Sequence, residues 1–365
     1  MANTINLIFT WLRRVMIAFF MLMLVLACSE CQVRWYNETN KIRSVLTDPV
    51  KTVFSTSMEE YDARKSAMKL LEAALNHCTP ETFIQFYSAG LNLTRAEVDS
   101  WIEREPAFYY YEAAWDKIRR EMETVQPDAD SVIFWHVYNM GYIIKTAKTC
   151  FAIDLHHRRS EELIDKLDFL LITHDHEDHY TEKLLKSFKP TGKPLVSNFF
   201  PAPGRHSAAT TLEFGPARIH LHPTDHASNM KNFVMTYEIE LSLKSGKFII
   251  VHSGDTFRSD QFKMKNPAVD VYIVHPRMGL DVLKVQKIIK PKLTLISHLQ
   301  ELHHHYGRWR WPYSIGLSEV KAGKTNGFHC AMPLWGDMIR LPLKQKQTPA
   351  AAVKRQTGQF RSANS

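Results

Sequence analysis

The segment Thr173-His174-Asp175-His176-Glu177-Asp178-His179 crowds three histidines and two aspartates into six consecutive residues. Imidazole and carboxylate are the side chains that bind zinc and related metals. The spacing has a physical sense. In an extended loop, residues i and i+2 point the same way, so His174 and His176 can face one ion. Asp178 and His179 are adjacent, diverge, and can serve a second ion close by. The competing reading is an exposed acidic loop that merely contains histidines. It is disfavoured because so many titratable groups without a cation would oppose one another's charged forms.

The elements around this segment must hold it still. The apolar run 168–172 reads as a buried strand that ends at the histidines, and a loop rooted in such a strand suits a site of fixed geometry. Further strands are expected at 132–138, 142–145, 150–155, 217–222, 233–241, 248–251, 271–274 and 293–296. Helices are expected at 161–166, 183–188 and 282–289. Residues 41–125 read as helical, with Met68, Leu71, Ala74 and Leu75 at helical spacing. Thr79-Pro80-Glu81 is a helix start, and Thr94-Arg95-Ala96-Glu97 is a capping box. The tyrosine-rich stretch 108–115 is expected to pack on a neighbour, and nothing in 41–125 looks catalytic. The division expected is 1–27 signal, 28–130 helical region, 131–340 β-rich α/β domain and 341–365 disordered basic tail.

The histidine segment resembles the signature motif of the metallo-β-lactamase-fold hydrolases, and the resemblance extends over residues 132–300. Asp154 looks like the family's strand-end aspartate. The resemblance implies a further histidine ligand, for which His226 in Pro223-Thr224-Asp225-His226-Ala227 fits best, with His220 and His222 as competitors inside the preceding strand. It implies an aspartate bridging two ions, and Asp255 in Ser253-Gly254-Asp255-Thr256 follows the pattern of strand and glycine. It implies a last histidine after a C-terminal strand. His298 in Leu295-Ile296-Ser297-His298-Leu299 is the best match, with His303, His304 and His305 as competitors. His252 and His275 read as packing or orienting residues. The ligand set so implied is His174, His176 and His226 on one ion, Asp178, His179 and His298 on the other, and Asp255 between them.

The resemblance further implies an αββα sandwich and metal-assisted hydrolysis. Two divalent ions, zinc first and iron or manganese as alternatives, would share a bridging water and deliver hydroxide. Asp178 would bind the second ion and help orient or shuttle the proton. True β-lactamases of this fold often carry a cysteine where Asp255 stands, which disfavours antibiotic hydrolysis. The Gly-Asp-Thr form resembles the branch of sugar-phosphate lactonases, N-acyl-phosphatidylethanolamine phospholipase D and transfer-RNA-maturing ribonucleases. An ester, lactone or phosphodiester in a small-molecule or lipid substrate is expected. Oxygen-reducing diiron relatives use a glutamate where His176 stands, which argues against that chemistry. A persulfide-oxidising iron relative shares the histidine pattern. The reading from a different class is a membrane-tethered binding or scaffold protein whose metal site is structural or vestigial.

The chain ends carry the other signals. Arg13 and Arg14 precede an uncharged run from Val15 to Ala27, and Val25-Leu26-Ala27-Cys28 resembles a bacterial lipobox. That implies cleavage before Cys28, its acylation, and an exported lipoprotein on the periplasmic side or outer membrane. An uncleaved anchor helix is the alternative. The 365 residues carry 46 basic and 38 acidic side chains. Six of the eight excess positive charges lie in Arg340, Lys344, Lys346, Lys354, Arg355 and Arg361, and the other two are Arg13 and Arg14. Residues 28–337 are formally neutral, so no nucleic-acid partner is expected. Five cysteines are too few for a disulfide scaffold. With Cys28 lipidated, Cys31, Cys78, Cys150 and Cys330 could pair in three ways or stay as buried thiols.

Overall fold

The computed structural model describes residues 45–200, 205–266 and 268–342. Cys28, Cys31 and the segment 343–365 lie outside them. The described part opens with helices: α1 over 45–55, α2 Tyr61–His77, α3 Pro80–Ser88, α4 Arg95–Arg104 and α5 Ala107–Thr124. Their starts follow local chemistry. Thr79 accepts the N–H of Thr82 with Pro80 in the first turn, and Thr94 and Glu97 form a reciprocal capping box. None of the described helices is long and apolar enough to cross a membrane.

Two sheets follow. The first contains β1 Ser131–His136, β2 Tyr142–Lys145, β3 Cys150–Ile153, β4 Phe169–Leu171, β5 Leu195–Val196 and, returning from the far end of the chain, β13 Met338–Pro342. Its order is β13-β1-β2-β3-β4-β5. The second contains β6 Thr210–Phe214, β7 Ala217–Thr224, β8 Val234–Leu243, β9 Gly246–His252, β10 Val271–Val274, β11 Leu293–Ile296 and β12 Cys330–Ala331, in the order β12-β11-β10-β9-β8-β7-β6. Helices α6 Glu182–Phe188, α7 Val282–Ile289 and α8 Tyr313–Thr325 lie between strands in sequence.

Strand alternation builds two cores. Val132, Phe134, Tyr142, Ile144, Phe151 and Ile153 point between the sheets and meet Ile219, Tyr237, Ile239, Phe248, Ile250 and Leu295. The alternate residues Ile133, Trp135, Ile143 and Ala152 share a second core with Leu71, Leu75, Phe83, Phe108 and Tyr110 of the N-terminal helices. Sheets covered on both faces read as nearly continuous apolar runs, which is how β1 and β2 look. Each large side chain so buried contributes about 1.5–3 kcal/mol. The helical region is therefore one outer layer of the sandwich. Its tyrosine-rich stretch packs as expected: Tyr110 stacks on Trp335, and His157 lies between Tyr111 and Trp115.

Several expectations need correction. The strand expected at 132–138 stops at His136, because Asn139 takes a left-handed φ of 52° in the following turn. The short helix expected at 161–166 is present as a 3₁₀ helix, Ser160–Lys166. Leu341 and Pro342, expected in the tail, instead pair with Val132 and Ser131 as part of β13. Cys78, Cys150 and Cys330 are buried free thiols.

Candidate metal centre

Strands β3, β4 and β5 run parallel, as do β9 to β12. The carboxyl ends of parallel strands are where α/β sheets collect their functional loops. Asp154 follows β3, the histidine segment follows β4, Asp255 follows β9, His275 follows β10 and His298 follows β11. His226 lies just beyond the end of β7.

The first ring of support is built from Asp154 and Thr173. The Asp154 carboxylate accepts the Thr173 N–H at 2.7 Å and its hydroxyl at 2.8 Å. The same carboxylate lies 2.8 Å from His179 Nδ1, which turns His179 Nε2 toward the centre. Gly254 lets the Asp255 turn close against this ring. Its φ is 52°, and a Cβ there would stand 2.8 Å from Val234 Cγ1 and 2.9 Å from Thr173 Cβ.

The structure brings all seven expected ligands together. One group of donor atoms is His174, His176 and His226, and a second is Asp178, His179 and His298. Asp255 joins both, with Oδ2 3.9 Å from Nε2 of His174 and of His226, and 3.3 Å from His298 Nε2. Its Oδ1 lies 3.5 Å from His179 Nε2. Asp178 Oδ2 is 3.3 Å from His298 Nε2 and 3.8 Å from His179 Nε2. His174 Nε2 and His176 Nδ1 face each other at 3.0 Å. A cavity of about 210 Å³ opens over the cluster, lined also by His275, Met278, His304 and Trp309.

This donor set fits cations. Nε2 of His179, Nε2 of His226 and Oδ1 of Asp255 are buried and have no hydrogen-bond partner in the protein. Buried polar atoms are nearly always satisfied, so convergent orphans point to a missing positive charge. The electrostatics agree. Burial lowers His174 well below its ordinary pKa and brings His226 down to about 4, leaving neutral rings. Burial opposes the charged form of Asp178 and Asp255 too, but the neighbouring histidines hold both carboxyls well below their usual range. In return, Asp255 and Asp178 overcome burial to lift His298 to about 10. The two carboxylates thus collect positive charge from protonated histidines where no cation supplies it.

Four of the five competing histidines sit elsewhere, while His304 lines the cavity. His220 bonds the Thr211 hydroxyl at 2.8 Å, and His222 meets Glu238 at 3.0 Å. His303 packs edge-on against Phe83 and His156, and His305 Nε2 lies 3.6 Å from Glu81 on the outside. His252 donates from Nε2 to the Met140 carbonyl and accepts the Gly254 N–H on Nδ1, which fixes the turn before Asp255. His275 is closer to the centre than a packing residue would be. Its ring stacks on His298 at 3.8 Å, and its donor atom groups with those of Asp255 and His298. Its Nδ1 accepts the Arg277 N–H at 3.0 Å, so the neutral ring carries its proton on Nε2 and acts there as a donor. Asn139, in the turn after β1, is a site residue that sequence reasoning misses. Its Nδ2 donates to Asp178 Oδ2 at 2.9 Å and to the Asp178 carbonyl at 3.1 Å. A turn asparagine in a left-handed conformation was the one available signal, and it gives no hint of a partner 39 residues away.

Sandwich, strand-end loops and donor set together define a hydrolase of the metallo-β-lactamase class. Residues 35–292 match the family model described as the beta-lactamase superfamily domain, and the chain belongs to that family. A UPF0173 protein of Pyrococcus abyssi is 24% identical over 174 residues, spanning 43% of this chain and 78% of the relative. Among solved structures, Igni18, a metallo hydrolase from Ignicoccus hospitalis, has 17% identity and a TM-score of 0.45, covering 59% of this chain and 100% of its own. CmlA, a diiron beta-hydroxylase from Streptomyces venezuelae, has 13% identity and a TM-score of 0.45, covering 69% of this chain and 60% of its own.

Proposed function

We propose that this chain hydrolyses an ester, lactone or phosphodiester at a centre of two divalent ions, zinc in the first instance. The observation that carries the reading is the convergence of seven donor side chains, of which His179 Nε2, His226 Nε2 and Asp255 Oδ1 are buried without a hydrogen-bond partner in the protein. His174, His176 and His226 would hold one ion, Asp178, His179 and His298 the other, with Asp255 between. Ions held there would lower the pKa of a water and polarise the substrate oxygen.

The protein's own residues do the positioning. Asp154 and Thr173 fix the tautomer and tilt of His179. Asn139 pins Asp178 through one oxygen, so the carboxylate cannot swing away when it takes or releases a proton. His275 offers an N–H beside Asp255 and His298, where negative charge would develop on a substrate oxygen. A substrate that enters the cavity would also meet Trp309 on its lining. The test is metal content by elemental analysis beside turnover of an ester, a lactone and a phosphodiester. About two ions per chain with turnover of one of them supports the reading. Fewer than one ion after loading, or no turnover of any, defeats it.

A further inference from the structure

Close to the donor cluster stands a pair that the seven ligands leave unused. His304 lines the cavity with about 40% of its side chain exposed, and its Nδ1 lies 3.0 Å from Glu301 Oε1. The Glu301 side chain is wholly buried. Its other oxygen accepts the His303 N–H at 2.8 Å. A buried carboxylate needs a positive or donating partner, and His304 is the side chain that supplies it. Donor atoms of Asp178, Glu301 and His304 lie within 4.8 Å of one another. The pair thus touches the ligand cluster on one side and the open cavity on the other.

The loop that carries the pair is held from outside the sandwich. Arg310, fully buried, donates to the carbonyls of Leu75 and Cys78 at the end of α2 and to the carbonyl of Leu302. Glu72 of α2 accepts from the Gln300 side chain at 2.6 Å and from the Tyr313 N–H at 2.8 Å. Such anchoring at both ends suits a residue that must meet substrate in one place.

We infer that His304, oriented by Glu301, is the catalytic residue that protonates the leaving-group oxygen. The inference rests on the hydrolase reading above. Water adds to the carbonyl carbon or phosphorus, and the bond to the leaving oxygen breaks with its electron pair going to that oxygen. His304 gives its ring proton to this oxygen, so an alcohol departs, and the proton lost by the attacking water restores the ring. The groups facing His304 are Glu301 and His303 on its own loop, with Asp178, His176 and His298 across the cavity.

The experiment compares His304→Ala, Glu301→Gln and, as a surface control, His305→Ala on two phosphodiesters or esters. One has an alkoxide leaving group and the other a nitrophenolate that needs no proton. His304→Ala is expected to lose about 10²–10⁴-fold in kcat on the alkyl substrate and less than about fivefold on the nitrophenyl one, with metal content unchanged. Glu301→Gln is expected to lose less on the alkyl substrate, and its His304 ring is expected to titrate lower by NMR in the metal-free protein. Equal losses on both substrates overturn the proton-donor role, as does loss of an ion in His304→Ala, which would make His304 a ligand. Metal-loaded wild type that turns over neither substrate defeats the hydrolase reading itself, and this inference with it.

Discussion

Asp154 and His179 are joined by a 2.8 Å hydrogen bond between two side chains that are both wholly buried. The same carboxylate receives the N–H and the hydroxyl of Thr173. Asp154 itself has a left-handed φ of 47° at the end of β3, a conformation with a cost that only surrounding bonds repay. Partners of this kind set the basicity and aim of a ligand without touching the ion. Asp154→Asn is expected to weaken binding of the ion held by Asp178, His179 and His298 by about 10–100-fold, leaving the His174, His176 and His226 group loaded. Competition with a chelator would show one weakened class of site. Two unchanged classes would remove Asp154 from this role.

Gly254 gives a prediction about backbone rather than charge. Its φ of 52° and the 2.8–2.9 Å approach of Val234 and Thr173 leave no space for a methyl group. Gly254→Ala is expected to destabilise the fold by about 1–3 kcal/mol and to lower metal content, because Asp255 would move with the turn. A variant that melts like wild type and holds full metal would show that the turn can relax.

What the sequence displays of this site follows from distance along the chain. His174, His176, Asp178 and His179 are visible because the loop brings these donors together by spacing alone, and Asp255 because a strand and a glycine mark its turn. Asn139 and Glu301 are not visible, since each acts on a neighbour through a fold-made contact or inside a histidine run that resembles a surface segment. The missed elements have similar causes. Strand β6 is an edge with mostly exposed side chains, and β12 has only two residues. Helix α8 contains Gly316 and Gly323, poor helix formers. A Cβ at Gly316 would meet Met332 at 2.3 Å, and one at Gly323 would meet Cys330 at 2.1 Å. Close approach to the β12 segment, which no local pattern displays, explains both glycines.

Arg310 tests whether the helical layer serves the site. Its guanidinium holds three buried carbonyls. Arg310→Ala would take a donor from all three, leaving the Leu75 carbonyl only the Cys78 N–H, and is expected to cost about 2–5 kcal/mol. Turnover is expected to fall further than metal content, because the loop bearing Glu301 and His304 loses its anchor while every one of the seven ligands stays. Equal turnover per bound ion would show that the helices stabilise the fold without shaping the cavity.

The N-terminal segment makes a separate prediction. We propose that Val25-Leu26-Ala27-Cys28, which follows an apolar run, acts as a lipobox with an acylated Cys28. A fatty-acid analogue supplied to a bacterial host is expected to label the wild type and not Cys28→Ala. Equal labelling of both would end the lipoprotein reading.

Metal binding itself should depend on pH in a stated direction. Burial alone would lower His298, but Asp255 and Asp178 raise its pKa from 6.5 to about 10. In the metal-free protein this shift stabilises the fold below pH 6.5, and the contribution is lost as pH rises through about 10. His298 Nε2 can take a cation only after its proton leaves, so binding must release that proton throughout this window. Apparent zinc affinity is therefore expected to climb from pH 6.5 toward 10, by up to tenfold per pH unit for each proton released. Titration calorimetry at pH 8 in two buffers of different ionisation enthalpy counts the protons directly. A count of one or more fits a cluster in which histidine protons stand in for the cation. A count of zero would mean that His298 is neutral before metal arrives, and that Asp178 and Asp255 draw their positive charge from elsewhere.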